Sequence, residues 1–135
     1  MASGIYDDFK EDLMMGDVDL EADTIKVALL DDSHAFDATD SVWGDISANE
    51  ISGTGYTAGG ATLASLAVTV AANTAKFDAA DSAWTTATFS AWHAVIYDTT
   101  NTSSLIASFD FGSEKSLTAG TFTVSWGTGG IITLG

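Results

Sequence analysis

At 135 residues, with 46% hydrophobic content and a net charge of −15, the chain has the length for one domain with its own core. It is too apolar for an acidic disordered tail, and with nineteen acids against four lysines it lacks the cations that nucleic-acid binding needs. The absence of cysteine excludes disulfides and thiolate zinc sites, and no apolar run reaches the ~18 residues of a membrane helix.

The opening Met1-Ala2-Ser3-Gly4 lacks the basic and apolar regions of a secretory signal, so the expectation is a soluble protein made in a cytoplasm. Ser3 is placed to cap a helix over 3–16, with Asp7 and Asp8 near its positive end and Gly16 after its last turn. Ile5, Phe9 and Leu13 then form one apolar stripe. So short a helix is marginal alone, and the stripe must dock, as a cover for the core or in a subunit interface.

An acidic turn, Asp17 to Asp23, precedes a strand from Thr24 to Leu30 with Ile25, Val27 and Leu29 on one face. Residues 31–49 show little periodicity and carry Phe36, Val42 and Trp43 as apolar anchors. They read as a long loop or arm of the kind that carries contacts. Residues 50–60, EISGTGYTAGG, set glycines around Tyr56 and predict bulges and turns.

Strands are predicted at 66–70 and 74–78, around Ala71-Ala72-Asn73, and at 84–89. Residues 91–97 and 105–111 flank the polar run Thr99 to Ser103 and predict an antiparallel hairpin. In its first half, Ala91, His93, Val95 and Tyr97 oppose Trp92, Ala94 and Ile96; both sets are mostly apolar, so both faces should be covered. The second half is mainly one-sided, with Leu105, Ala107, Phe109 and Phe111 together. Residues 121–126 and 131–134, joined by Gly127-Thr128-Gly129-Gly130, predict a second hairpin.

The sum is an all-β chain: a single antiparallel β-sandwich domain over 1–135, with about eight strands and one short N-terminal helix. Area scaling predicts roughly 6,700 Å² of surface, hence one excess negative charge per ~450 Å², a load that a monomer carries easily. With no proline in the chain, edge strands must be guarded by acidic side chains or by assembly partners.

Candidate chemistry is thin. His34 lies among Asp31, Asp32, Asp37 and Asp40, but the spacing lacks the EF-hand glycine and terminal acid, which favours a solvated acidic loop over an ion site. His93, with no acid close in sequence, reads as a packed histidine rather than a base. No serine sits in a nucleophile elbow, and Gly53 to Gly60 matches neither G-x-G-x-x-G nor the P-loop. Trp43, Trp84, Trp92 and Trp126 could stack on sugars, and Trp43 is the best outward candidate. The expectation is a protein that is not an enzyme, with no catalytic residue, metal or cofactor.

SGIYDDFKEDLM, DTIKVALLDDSHAF, GTGYTAGG, AVIYD, ASFDFGS and WGTGGIITL, in this order, resemble small virion structural proteins of tailed bacteriophages. The resemblance implies a jelly-roll-like sandwich on the outer capsid surface: a capsid decoration (cement) protein, commonly a homotrimer, whose partner is the major capsid protein. The alternative it leaves open is a tail or fibre-associated protein that binds host glycans. A trimer would carry three times −15, or −45, so its inner contacts should be apolar or hydrogen-bonded. Ile5, Phe9, Leu13, Phe36, Trp43 and Tyr56 are the interface candidates; no nucleic-acid or membrane partner is expected.

Overall fold

The computed structural model describes residues 3–135. In chain order its elements are β1 (Gly4–Ile5), α1 (Asp7–Met15), β2 (Ile25–Leu30), α2 (Trp43–Ile46), β3 (Ala61–Thr62), β4 (Ala67–Ala71), β5 (Thr74–Asp78), β6 (Ser82–Asp98), β7 (Ser104–Val124) and β8 (Ile132–Leu134). They build two antiparallel sheets, one of five strands in the order β1-β7-β6-β2-β3 and one of three in the order β4-β5-β8. The chain is mostly β, as its alternating apolar runs require. Its surface of 6723 Å² matches the area scaling, so the charge spacing derived from that scaling stands.

The hairpin of β6 and β7 dominates. Segments 84–89 and 91–97 are one strand of 17 residues, and 105–111 continues without a break to Val124. A strand of that length spans ~56 Å and must bend to stay on a small core. It does so at four register shifts, between Trp84 and Ala87, Ala87 and Phe89, Ala91 and His93, and Ile96 and Tyr97. In β6 the in-out alternation is reset twice, between Trp84 and Ala87 and between Ala91 and Ala94. Ala91 therefore joins Ala94 and Ile96 in the main core, while Val95 and Tyr97 face the opposite side. The second half of the hairpin is two-sided, contrary to the one-sided pattern expected. Leu105 faces away from the main core, and the neighbouring Ile106 and Ala107 both enter it.

The main core lies against Phe77 of β5 and extends along the ribbon through Trp84, Phe89, Phe122 and Trp126. A second cluster, Ala28, Leu30, Val95, Tyr97 and Leu105, covers the other face of the five-stranded sheet under Tyr6, Ile46 and Trp43. Residues 31–49 form part of that cover as a long loop carrying α2 and a 3-10 turn at Ser47–Asn49.

Two further boundaries differ from expectation. The first helix begins at Asp7, not Ser3, because Tyr6 is fully buried in an extended conformation (φ −72°, ψ 148°). Gly4 and Ile5 instead pair with Ser108 and Ala107, and the Ser3 hydroxyl accepts the Asp110 N–H at 2.8 Å. The turn at 127–130 forms, but it sends β8 to β5 in the other sheet and makes no hairpin with β7. Among the glycines of 50–60, Gly60 is irreplaceable: φ is +84°, and a Cβ would lie 1.9 Å from the Val27 carbonyl oxygen.

Candidate docking surface

The three-stranded sheet has one apolar face, and its register shows how. Val68 stands opposite Phe77 and Val70 opposite Ala75; across the next pair, Ile132 faces Phe77 and Leu134 faces Ala75. Directly opposed residues share a face, so these six side chains form one continuous row, with Thr69, Lys76 and Thr133 on the reverse. The core covers only the Phe77 end. Phe77 is 3% exposed, whereas Val70 is 74% and Leu134 64% exposed.

Helix α1 lies across the remainder. Phe9 is buried, while Leu13, Met14 and Met15 stay open to solvent. Between helix and strand runs a trough of about 440 Å³, walled by Ile5, Phe9, Leu13 and Met14 on one side and by Ile132 and Leu134 on the other. A smaller hollow beneath the helix continues it towards Leu20 and Val68. Among the described residues, every exposed large apolar side chain except Phe36 lies on α1 or on this sheet. Exposed apolar side chains clustered in this way make a candidate docking surface.

The helix and the turn that follows it are strongly charged, although the one charged residue lining the trough itself is Lys10. Residues 7–23 hold eight carboxylates and one lysine, so eight minus one gives a local charge of −7, nearly half of the whole chain's −15. These acids are ordered: Glu21 reaches across to accept the Val68 N–H at 2.8 Å, and Asp19 accepts the N–H groups of Glu21 and Ala22 at 3.1 Å.

Of the six interface candidates, the structure brings Ile5, Phe9 and Leu13 together in this trough, although Ile5 arrives on β1 and not on the helix. The other three lie elsewhere. Phe36, 42% exposed, rests on Tyr6 (4.9 Å between ring centroids) and on Gly4, where a Cβ would meet its ring at 2.6 Å. Trp43 is half-buried and stacks on Tyr97 at 4.8 Å with an interplanar angle of 5°, which occupies one of its two faces. Tyr56 braces the core: its hydroxyl accepts the Leu29 N–H at 3.0 Å and donates to Glu50 at 2.7 Å, and burial pushes its pKa up. Met14, Val68 and Leu134 were missed. The two strand residues alternate with polar neighbours, which is also the pattern of a core-facing row.

The polar clusters serve packing. His34 is 4% exposed, with Nε2 3.3 Å from the Ser108 hydroxyl and its ring edge-on to His93 at 5.0 Å. Burial first, then the His93 charge, lowers its pKa. Ser108, at 2% exposed, gives a substrate no approach to this pair. Asp31 and Asp37 turn back to cap Ser33 and Thr39, and among the described residues no three His, Asp or Glu converge on a metal-sized space. The Gly53 to Gly60 loop is closed from within, because Glu50 also accepts the Gly59 N–H at 2.6 Å. Asp98 is the most perturbed acid: it is 1% exposed, its Oδ1 accepts the N–H groups of Thr100 and Asn101, and its Oδ2 has no donor. Burial, then the neighbouring Asp23, raise its pKa to about 7.

No protein-family model, curated protein or solved structure matches the chain. Among the described residues, no helix is long and apolar enough to cross a membrane.

Proposed function

We propose that this chain is a non-enzymatic assembly protein of a tailed-phage particle, a capsid decoration protein that sits on the outer shell and bridges subunits of the major capsid protein. The observation that carries the reading is the apolar trough between α1 and β8, walled by Ile5, Phe9, Leu13 and Met14 on one side and by Ile132 and Leu134 on the other. The sequence blocks that resemble virion structural proteins supply the particle. Trp43 lies apart from the trough, with one face stacked on Tyr97.

The connectivity supports a jelly-roll-like description. Three antiparallel pairs, β1 with β7, β2 with β6 and β4 with β5, nest as in a rolled hairpin, whereas the β6–β7 hairpin and the β5–β8 pair lie outside that nesting. A homotrimer belongs to the same reading, and charge restricts where it can close. Residues 7–23 repel their own copies, whereas along β7 beyond Asp110 the charges of Glu114 and Lys115 cancel and the outer edge has no strand partner. Cryo-electron microscopy of the particle tests the function: density for this chain over the capsid lattice is expected, and density confined to the tail would remove the proposal. Light scattering tests the trimer, which a persistent monomer would exclude.

A further inference from the structure

We infer that the trough takes an extended segment of a partner protein, added as a strand along the open edge of β8, with apolar side chains facing α1 and lysines or arginines at its flanks. The inference rests on the docking reading and specifies what docks.

Three observations converge on it. First, the trough runs along a strand edge and not only over a sheet face. Thr133 lines it beside Ile132 and Leu134, although its side chain belongs to the opposite face of the sheet. β8 ends the three-stranded sheet, and across the trough stands Ile5 of β1, the end strand of the five-stranded sheet. An incoming strand would lie between the free edges of both sheets.

Second, this edge is bare where the opposite one is capped. β4, at the other side of the same sheet, has its outward Val68 N–H taken by Glu21. Among the described residues, no side chain performs that service for Ile132, Thr133 or Leu134, and β8 pairs with β5 alone. Unpaired edge amides beside an apolar surface are the template that strand addition uses. The dimensions agree. The nine residues of α1 make a wall of ~14 Å, the reach of about four extended residues.

Third, charge decides between occupants. A second copy would bring its own segment 7–23, at −7, close to this one. A partner with basic flanks gains where a copy loses, and like-charge juxtaposition is a strong discriminator at interfaces.

The test uses the full chain and two synthetic peptides, KKVTVTVKK and EEVTVTVEE, followed by amide NMR. The basic peptide should shift the amides of Ile132 to Leu134, and the acidic one should not. Alternate backbone N-methylation of the basic peptide, which keeps its charge and side chains but removes edge hydrogen bonds, should weaken binding at least about tenfold. Met14→Glu with Leu134→Glu, at positions 90% and 64% exposed and so without consequence for folding, should abolish binding. Silence of residues 132–134 towards KKVTVTVKK, equal binding of both peptides, or undiminished binding of the methylated form would each overturn the inference. These results are separable from the capsid test. A chain found on the shell that ignores the peptides loses only the strand addition, and one that binds the basic peptide but is absent from the shell loses only the capsid assignment.

Discussion

Replacing Asp98 by asparagine should stabilise the protein at neutral and alkaline pH. The carboxyl is buried; its Oδ1 holds the Thr100 and Asn101 amides, and its Oδ2 has no donor beside Asp23. Two carboxylates in that position can hydrogen-bond only while one keeps a proton, which is why burial and Asp23 raise the Asp98 pKa from 3.8 to about 7. Across that window the folded chain retains a proton that the unfolded chain has released. Stability therefore falls as the pH rises from 3.8 towards 7 and levels off above it. At ~1.36 kcal/mol per pH unit the ceiling is about 4 kcal/mol. The side-chain amide introduced by Asp98→Asn would keep an oxygen for both backbone amides and offer Asp23 an N–H. The assay is urea denaturation of parent and variant from about pH 4 to about pH 8, read as a difference so that other titrations cancel. His34, for instance, runs the opposite way: its pKa is lowered, so its contribution is complete above 6.5 and lost as the pH falls through its folded value. The variant should match or trail the parent near pH 4 and exceed it by a few kcal/mol near pH 8. A variant no more stable than its parent at pH 8 would refute the account of this pair.

Three other perturbations test the core, the brace and the acidic segment. Phe109→Ala should cost about 3–5 kcal/mol in chemical denaturation, because the ring is 7% exposed and packs 5.1 Å from Trp126; a loss well under one kcal/mol would contradict its burial. Tyr56→Phe should cost about 1–2 kcal/mol in thermal melts, since the Leu29 N–H loses its acceptor and Glu50 a donor. Raising salt to ~1 M shortens the Debye length to ~3 Å and should let the troughs of separate copies meet. Light scattering should then show a rise in mass for the parent and none for Met14→Glu with Leu134→Glu; a mass indifferent to salt would count against charge as the barrier.

The β character, the strands 24–30 and 74–78, the turn at 99–103 and the Gly16 helix stop were legible because each rests on a local signal: alternation, turn chemistry or a positive φ. What was not legible depends on partners distant in sequence. Ser3 resembles a cap, yet Tyr6, buried by residues from β2, β6 and β7, holds the chain extended past it. The register shifts in β6 leave no mark that a period-2 reading can detect, since Ala91 is equally apolar on either face. Likewise the alternation of 66–70 and 131–134 predicts which side chains share a face but not whether that face is covered. Phe77 and Val70 lie on one face of the same sheet and differ in exposure from 3% to 74%.

That gradient bears on how a chain without proline protects its edges. β1 and β3 are two residues each, too short to template another strand. Along β7, the Ser3 hydroxyl takes the Asp110 N–H and the Asp110 carboxylate takes that of Gly112, so the ladder is interrupted just beyond β1. β4 has Glu21 on its outward amide, the acidic protection that the composition suggested. β8 combines an unshielded edge with an apolar wall, and the helical part of that wall belongs to the most acidic stretch of the chain. Shielding β4, and setting the β8 edge beside a segment whose charge copies of the chain must also bear, keeps the surface open to an unlike partner while opposing its closure by a like one.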